Sequence, residues 1–193
     1  MFNPMTIPLD WRWRSVSALT VGALSAVVAS AVIVPGLPGA IGAGLAILMF
    51  AVAITDARHF IIPDWLVVIA VALGFVSVGV DTQFDSNELL IAALHGALAG
   101  LAFAALRAAY EKLRKREGMG LGDVKLAVVA GVWLDWTAIA GAVEVAAVAA
   151  LAVTALHILR RQPITRATRV PFGLYFAPAI WLAWLVQASL LGV

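Results

Sequence analysis

Residues 40–64 read AIGAGLAILMFAVAIT, then DARHFIIPD. Sixteen residues without a charge or a helix-breaking proline run straight into Asp56, with Arg58 and His59 just beyond it and Pro63 opening the next apolar run. A stretch of this length and composition is a helix in lipid, and its end is marked by the return of ionisable groups. The same alternation repeats along the chain. Of 193 residues, 63% are hydrophobic and 12% charged, against about 25% charged in soluble domains. Mean hydropathy is +1.01. These values exclude a disordered chain and an ordinary soluble enzyme. A transmembrane barrel needs strands of about 10 residues alternating apolar and polar, and the runs here do not alternate. The reading is an all-α polytopic bundle, since helices satisfy their own backbone groups in a bilayer.

Seven apolar segments are predicted, at residues 16–34, 40–55, 65–80, 89–109, 124–134, 137–159 and 172–193. The fifth, at 11 residues, is shorter than the roughly 17–25 that cross unaided. Charge decides that it crosses, shielded by protein. With the N-terminus inside and every segment crossing, all 13 Lys and Arg fall inside, as the positive-inside rule requires. The outside loops hold only Asp81, Asp85, Glu88 and Asp135. The net charge of +2 follows from this topology and gives no sign of nucleic-acid binding. Trp11-Arg12-Trp13-Arg14 reads as an interfacial anchor. A cleaved secretory signal is the competing reading of the start, with Ala29-Ser30-Ala31 as the small-residue site. With no cysteine, there is neither a disulfide nor a Cys-ligated metal.

Ionisable groups within or at the ends of spans carry the functional information. Asp56 and Asp123 fall at one depth, near the inner face. Two carboxylates at one depth can share a proton, one activating water and the other protonating the carbonyl oxygen or leaving amine. Gly118 to Leu126 reads GMGLGDVKL, a Gly-x-Gly-Asp entering a helix. Gly120 and Gly122 permit a close backbone approach beside the acid. A tight interfacial turn is the plainer reading, and a phosphate-binding loop is excluded because no Gly-Lys-Ser/Thr follows. Asp56 ends a helix and Asp123 begins one, so the macrodipoles assign the ionised base to Asp123 and the shared proton to Asp56. Lys125 is open to two readings, support of the dyad or substrate, and an end-of-span lysine reaching the interface. Arg58 and His59 fit substrate steering or the basic inner face. His95 and Glu144 lie at equal depth, about 10–12 Å in from the outside, and are expected to form a structural pair. No metal site is expected.

Three stretches resemble the type IV prepilin peptidases, membrane aspartic proteases of the GxGD class. Asp56 to Asp64 resembles the first aspartate motif, Gly118 to Leu126 the second, and Val170-Pro171-Phe172-Gly173 the element opening the last helix. The resemblance covers about residues 40–193. It implies that Asp56 and Asp123 are the catalytic pair, with Asp64 a helix N-cap after Pro63. It implies cleavage of prepilins or pseudopilins between a basic leader and an apolar helix, at the cytoplasmic face of the bacterial inner membrane, with lipid around the enzyme and no cofactor. The longer members carry a cysteine-rich zinc insert and methylate the new N-terminus. This chain has no cysteine, so it resembles the short form associated with Flp-type pili, with no zinc site and N-methylation unassigned. Residues 1–39 form an extra span ahead of a peptidase core, 40–193, in one membrane domain. A presenilin-like protease and a small proton-coupled transporter are the other readings. The Ile-Pro-Asp after Asp56 argues against the first, and prepilin cleavage separates the second.

Overall fold

The computed structural model describes residues 9–115, 120–159 and 171–191. Gly118 and Met119 of the glycine motif and the basic loop at 160–170 lie outside the described residues, as do the side chains of the anchor at 11–14. Seven helices follow one another: α1 (Leu9–Ile33), α2 (Leu37–His59), α3 (Asp64–Asp81), α4 (Ser86–Arg114), α5 (Leu121–Trp133), α6 (Trp136–Leu159) and α7 (Gly173–Leu191). No strand occurs among the described residues. α2, α3, α4, α6 and α7 are each long and apolar enough to cross a membrane. The protein is a multi-pass membrane protein with an all-α fold.

The breaks between helices have local causes. Gly36, at φ 84, takes the positive φ that glycine tolerates, and Pro38 follows in the first turn of α2. Asp85 caps α4 by accepting the Asn87 N–H at 2.8 Å. Asp135 caps α6, its Oδ1 accepting the Thr137 hydroxyl and the Ala138 N–H, each at 2.7 Å. Those bonds hold the Asp135 carboxyl below the usual range. α3 departs from expectation. Pro63, extended at φ −65 and ψ 132, is its N-cap, and Asp64 is the first helical residue, with no side-chain cap bond. The fixed proline φ and extended ψ hold Pro63 outside the helix, which puts Asp64 one position further in. Its carboxylate pairs with Lys125 instead.

α5 is the axis of the bundle. It packs against α3, α4 and α7, and Leu126, Ala127 and all residues from Val129 to Trp133 are buried. At 13 residues it is about 20 Å long, and its neighbours cover it. Contacts fix its direction. Gly122 lies against Ile62 just before α3, and the Trp133 indole N–H bonds Ala70 C=O at 2.9 Å. α5 therefore runs parallel to α3. Its start is level with that of α3, but α3 continues about two turns past Gly74, which meets Trp133. A cavity of about 140 Å³ lies over Trp133 at this far end, lined by Ser77, Asp81, Trp184 and Gln187 among others.

Helices in lipid gain little from apolar burial against one another, so close backbone approach carries much of their association. α4 and α5 show this. A Cβ on Gly131 would stand 2.7 Å from the Gly96 Cα. On α6, a Cβ at Gly141 would meet nothing within 4 Å. Gly131→Ala is expected to destabilise by about 1–3 kcal/mol through overpacking. Gly141→Ala should instead stabilise by up to about 1 kcal/mol through helix propensity. Thermal unfolding in detergent reads the opposite signs.

Candidate active site

Asp56 lies in the last turn of α2, buried at 6% exposure, and Asp123 in the first turn of α5, at 7%. Each carboxylate meets a helix N-terminus. α7 begins after Pro171, with Phe172 C=O accepting the Tyr175 and Phe176 N–H groups. No serine, threonine, asparagine or aspartate stands there to cap it, so its first N–H groups lack a local acceptor. Asp56 Oδ2 supplies one. It accepts the Leu174 N–H at 3.0 Å, with the Gly173 N–H beside it. Asp123, at the third position of α5, turns back on its own helix. Its Oδ2 accepts the Gly120 N–H at 3.2 Å. Gly120 has no side chain to return the bond, so one half of a capping box is present.

The two sites adjoin. Ile62, buried, fills the space between Gly122 and Gly173. A Cβ on Gly122 would lie 2.7 Å from Ile62 Cδ1, and one on Gly173 would lie 2.9 Å from the same carbon and 2.8 Å from Asp56 Oδ2. Glycine at 173 is thus the condition for Asp56 to reach the α7 backbone. Asp56 and Asp123 therefore stand on either side of Ile62 at one end of the bundle. Neither has an ion-pair partner among the described residues.

The other predicted residues are placed as follows. Lys125 is bound to Asp64, a tie between the starts of α5 and α3 that the sequence reading did not include. Arg58 is exposed on the last turn of α2 and makes no ion pair among the described residues. Pro171 and Phe172 are half-buried, and the Phe172 ring sits 5.5 Å from that of Phe176, which stacks on Phe103. His95 and Glu144 do not pair. α4 meets α6 at the first residue of that helix, Trp136, and Glu144 lies eight residues further along α6, about 12 Å from that contact. His95 lies against the Trp136 ring, 5.1 Å between centroids, while Glu144 is exposed. The dipole argument for dividing the acid and base roles also falls. Asp56 ends α2 but sits on the N-terminus of α7, so both carboxylates occupy positive helix ends. The missing N-cap before Gly173 is the sequence signal that an acceptor must come from elsewhere in the chain.

A multi-pass helical bundle with two buried carboxylates on helix N-termini that share Ile62, neither ion-paired among the described residues, is the class that fold and site define. The chain belongs to the type IV leader peptidase family, whose description matches residues 43–156. It is 33% identical over 138 residues to the prepilin leader peptidase/N-methyltransferase of Stutzerimonas stutzeri, covering 71% of this chain and 46% of that protein. It is 32% identical over 136 residues to the leader peptidase HopD of Escherichia coli, covering 70% and 83% respectively. A prepilin leader peptidase/N-methyltransferase of Aeromonas hydrophila is 30% identical over 188 residues, 92% of this chain and 59% of the relative. The chain thus spans about half the length of the Stutzerimonas relative and most of HopD. No solved structure matches it.

The ring contact sets a test of the corrected neighbourhood. His95→Ala and Trp136→Ala, combined in a double-mutant cycle on thermal stability, should couple by about 0.5–1.5 kcal/mol. His95→Ala with Glu144→Ala should be additive.

Proposed function

We propose that the chain is a prepilin leader peptidase, an aspartic endopeptidase of the bacterial inner membrane that opens its site to the cytoplasm. The observation that carries this is the pair of buried carboxylates, Asp56 and Asp123, adjoining one another on two helix N-termini. Family membership and the names of the relatives support the substrate, a prepilin cut between its basic leader and its apolar helix. The placement of every Lys and Arg on one side supports the orientation. The N-methyltransferase activity in two of the relatives' names stays with those proteins.

The chemistry follows from the pair. Two buried carboxylates that converge on one scissile bond divide the work, one ionised as base and the other protonated as acid. The ionised member removes a proton from water, whose oxygen adds to the scissile carbonyl. The protonated member gives its proton to the carbonyl oxygen, forming a tetrahedral diol. Collapse breaks the C–N bond: the proton taken from water goes to the leaving amine, and a diol hydroxyl returns its proton to the carboxylate that had protonated the carbonyl, reforming C=O. Both carboxylates are held by backbone N–H groups and need little reorganisation.

Asp56→Asn and Asp123→Asn should each lower cleavage of a prepilin in liposomes by about 10²–10⁴-fold or more, with thermal unfolding showing that the bundle is intact. Asp64→Asn should stay close to wild type, because an exposed ion pair contributes only about 0–1 kcal/mol. Near-normal cleavage by either dyad variant rejects the assignment. Gly173→Ala should lower kcat by up to about 10²-fold, since its methyl displaces Asp56 from the Leu174 N–H.

A further inference from the structure

Between His59, the end of α2, and Asp64, the start of α3, four residues lie outside any helix: Phe60, Ile61, Ile62 and Pro63. The Phe60 N–H closes on Asp56 C=O at 2.9 Å, and Phe60 adopts the left-handed conformation at φ 54. A bulky residue pays strain there, and such strain gathers at functional sites. The chain then straightens. A residue before proline is driven towards the extended region, and Pro63 is itself extended. In extended chain, successive side chains face opposite ways, and burial follows that pattern. Ile62 is 6% exposed and Ile61 63%.

The segment is fixed against the carboxylates. Ile62 is wedged between Gly122, which precedes Asp123, and Gly173, which touches Asp56. The Asp64–Lys125 pair ties its far end to α5. Its main chain, however, is unspent. Among the described residues, the N–H and C=O groups of Ile61 and Ile62 have no hydrogen-bond partner. Exposed main chain of this kind is left to water, and it is what an extended peptide pairs with when it adds to an edge. Peptide hydrolysis supplies the matching need. An amide inside a helix has its C=O engaged by an N–H four residues on, so the residues around a scissile bond must be extended to be cut.

We propose that Phe60–Ile61–Ile62–Pro63 is the edge on which the substrate lies, extended and paired main chain to main chain with Ile61, so that its scissile carbonyl faces Asp56 and Asp123. The exposed side chains of Phe60, Ile61 and Trp65 flank that path and suit apolar substrate residues. This rests on the peptidase reading above and assigns the peptide subsite of that same site.

The chain has no cysteine, so Ile61→Cys provides its sole thiol. In an Asp123→Asn background, this variant is incubated under oxidising conditions with synthetic prepilin peptides bearing one cysteine, moved a residue at a time across the cut. Disulfide yield should peak at alternate positions. With the wild-type enzyme, N-methylation of the peptide backbone at alternate positions should raise KM about tenfold, the size of one net hydrogen bond. Equal yields at consecutive positions, or N-methylation tolerated throughout, overturn the proposal if the wild type cleaves the parent peptide. Crosslinking of two copies of the variant that the peptide does not compete away also overturns it. A wild type that leaves the parent peptide uncut rejects the peptidase reading, and this proposal with it.

Discussion

The contact between the Asp56 carboxylate and the first N–H groups of α7 organises the site end of the molecule. Two groups that are each costly to bury resolve one another. α7 starts without a side-chain cap, and its leading N–H groups point into the protein. Asp56 is a buried carboxylate with no ion-pair partner among the described residues. Bringing them together satisfies both and locks the end of α2 to the start of α7. Gly173 is required by that proximity, and Ile62 is positioned by the same glycine. The left-handed turn at Phe60 follows directly, since the chain must leave α2 one turn after Asp56 and still reach α3.

The bounds of the helices were legible in the sequence; their rotation about each axis and their stagger against one another were not. Apolar runs define the spans, and the seven helices begin and end within a few residues of the predicted segments, apart from the start of α1 and the last turns of α4. In a soluble protein, polar periodicity would also tell which face looks inward. Spans that are apolar all round lose that signal. His95 and Glu144 show the consequence, since His95 stands level with Trp136 at the start of α6, while Glu144 lies about 12 Å further along that helix and is exposed. Asp56 and Asp123 were read as neighbours because motifs singled them out. Small residues retain some information about faces, as Gly96 and Gly131 do.

The family match ends at residue 156, before α7. Asp56, Gly122 and Asp123 lie inside the matched region, but the helix that donates to Asp56 lies outside it. The Pro171-Phe172-Gly173 element is therefore best understood through its backbone. It offers N–H groups where a carboxylate arrives, and its lack of a side chain at 173 is what lets the carboxylate in. Sequence reading recognised the element but not this reason for it, because a helix capped by a residue 118 positions away leaves no local pattern.

The shortness of α5 has an electrical consequence. At its far end the bundle opens over Trp133 into a cavity edged by Ser77, Asp81 and Gln187, polar groups that make it hospitable to water. The insulating layer along this axis is then the length of α5, about 20 Å, where a bilayer ordinarily presents about 30 Å of hydrocarbon. A transmembrane voltage drops across the insulating part, so the field along α5 is about half again as strong as through the surrounding lipid. A charge displaced along α5 therefore crosses a steeper potential per ångström than one displaced through the lipid, whereas Asp123, at one pole of that axis, sits close to the potential of its own side.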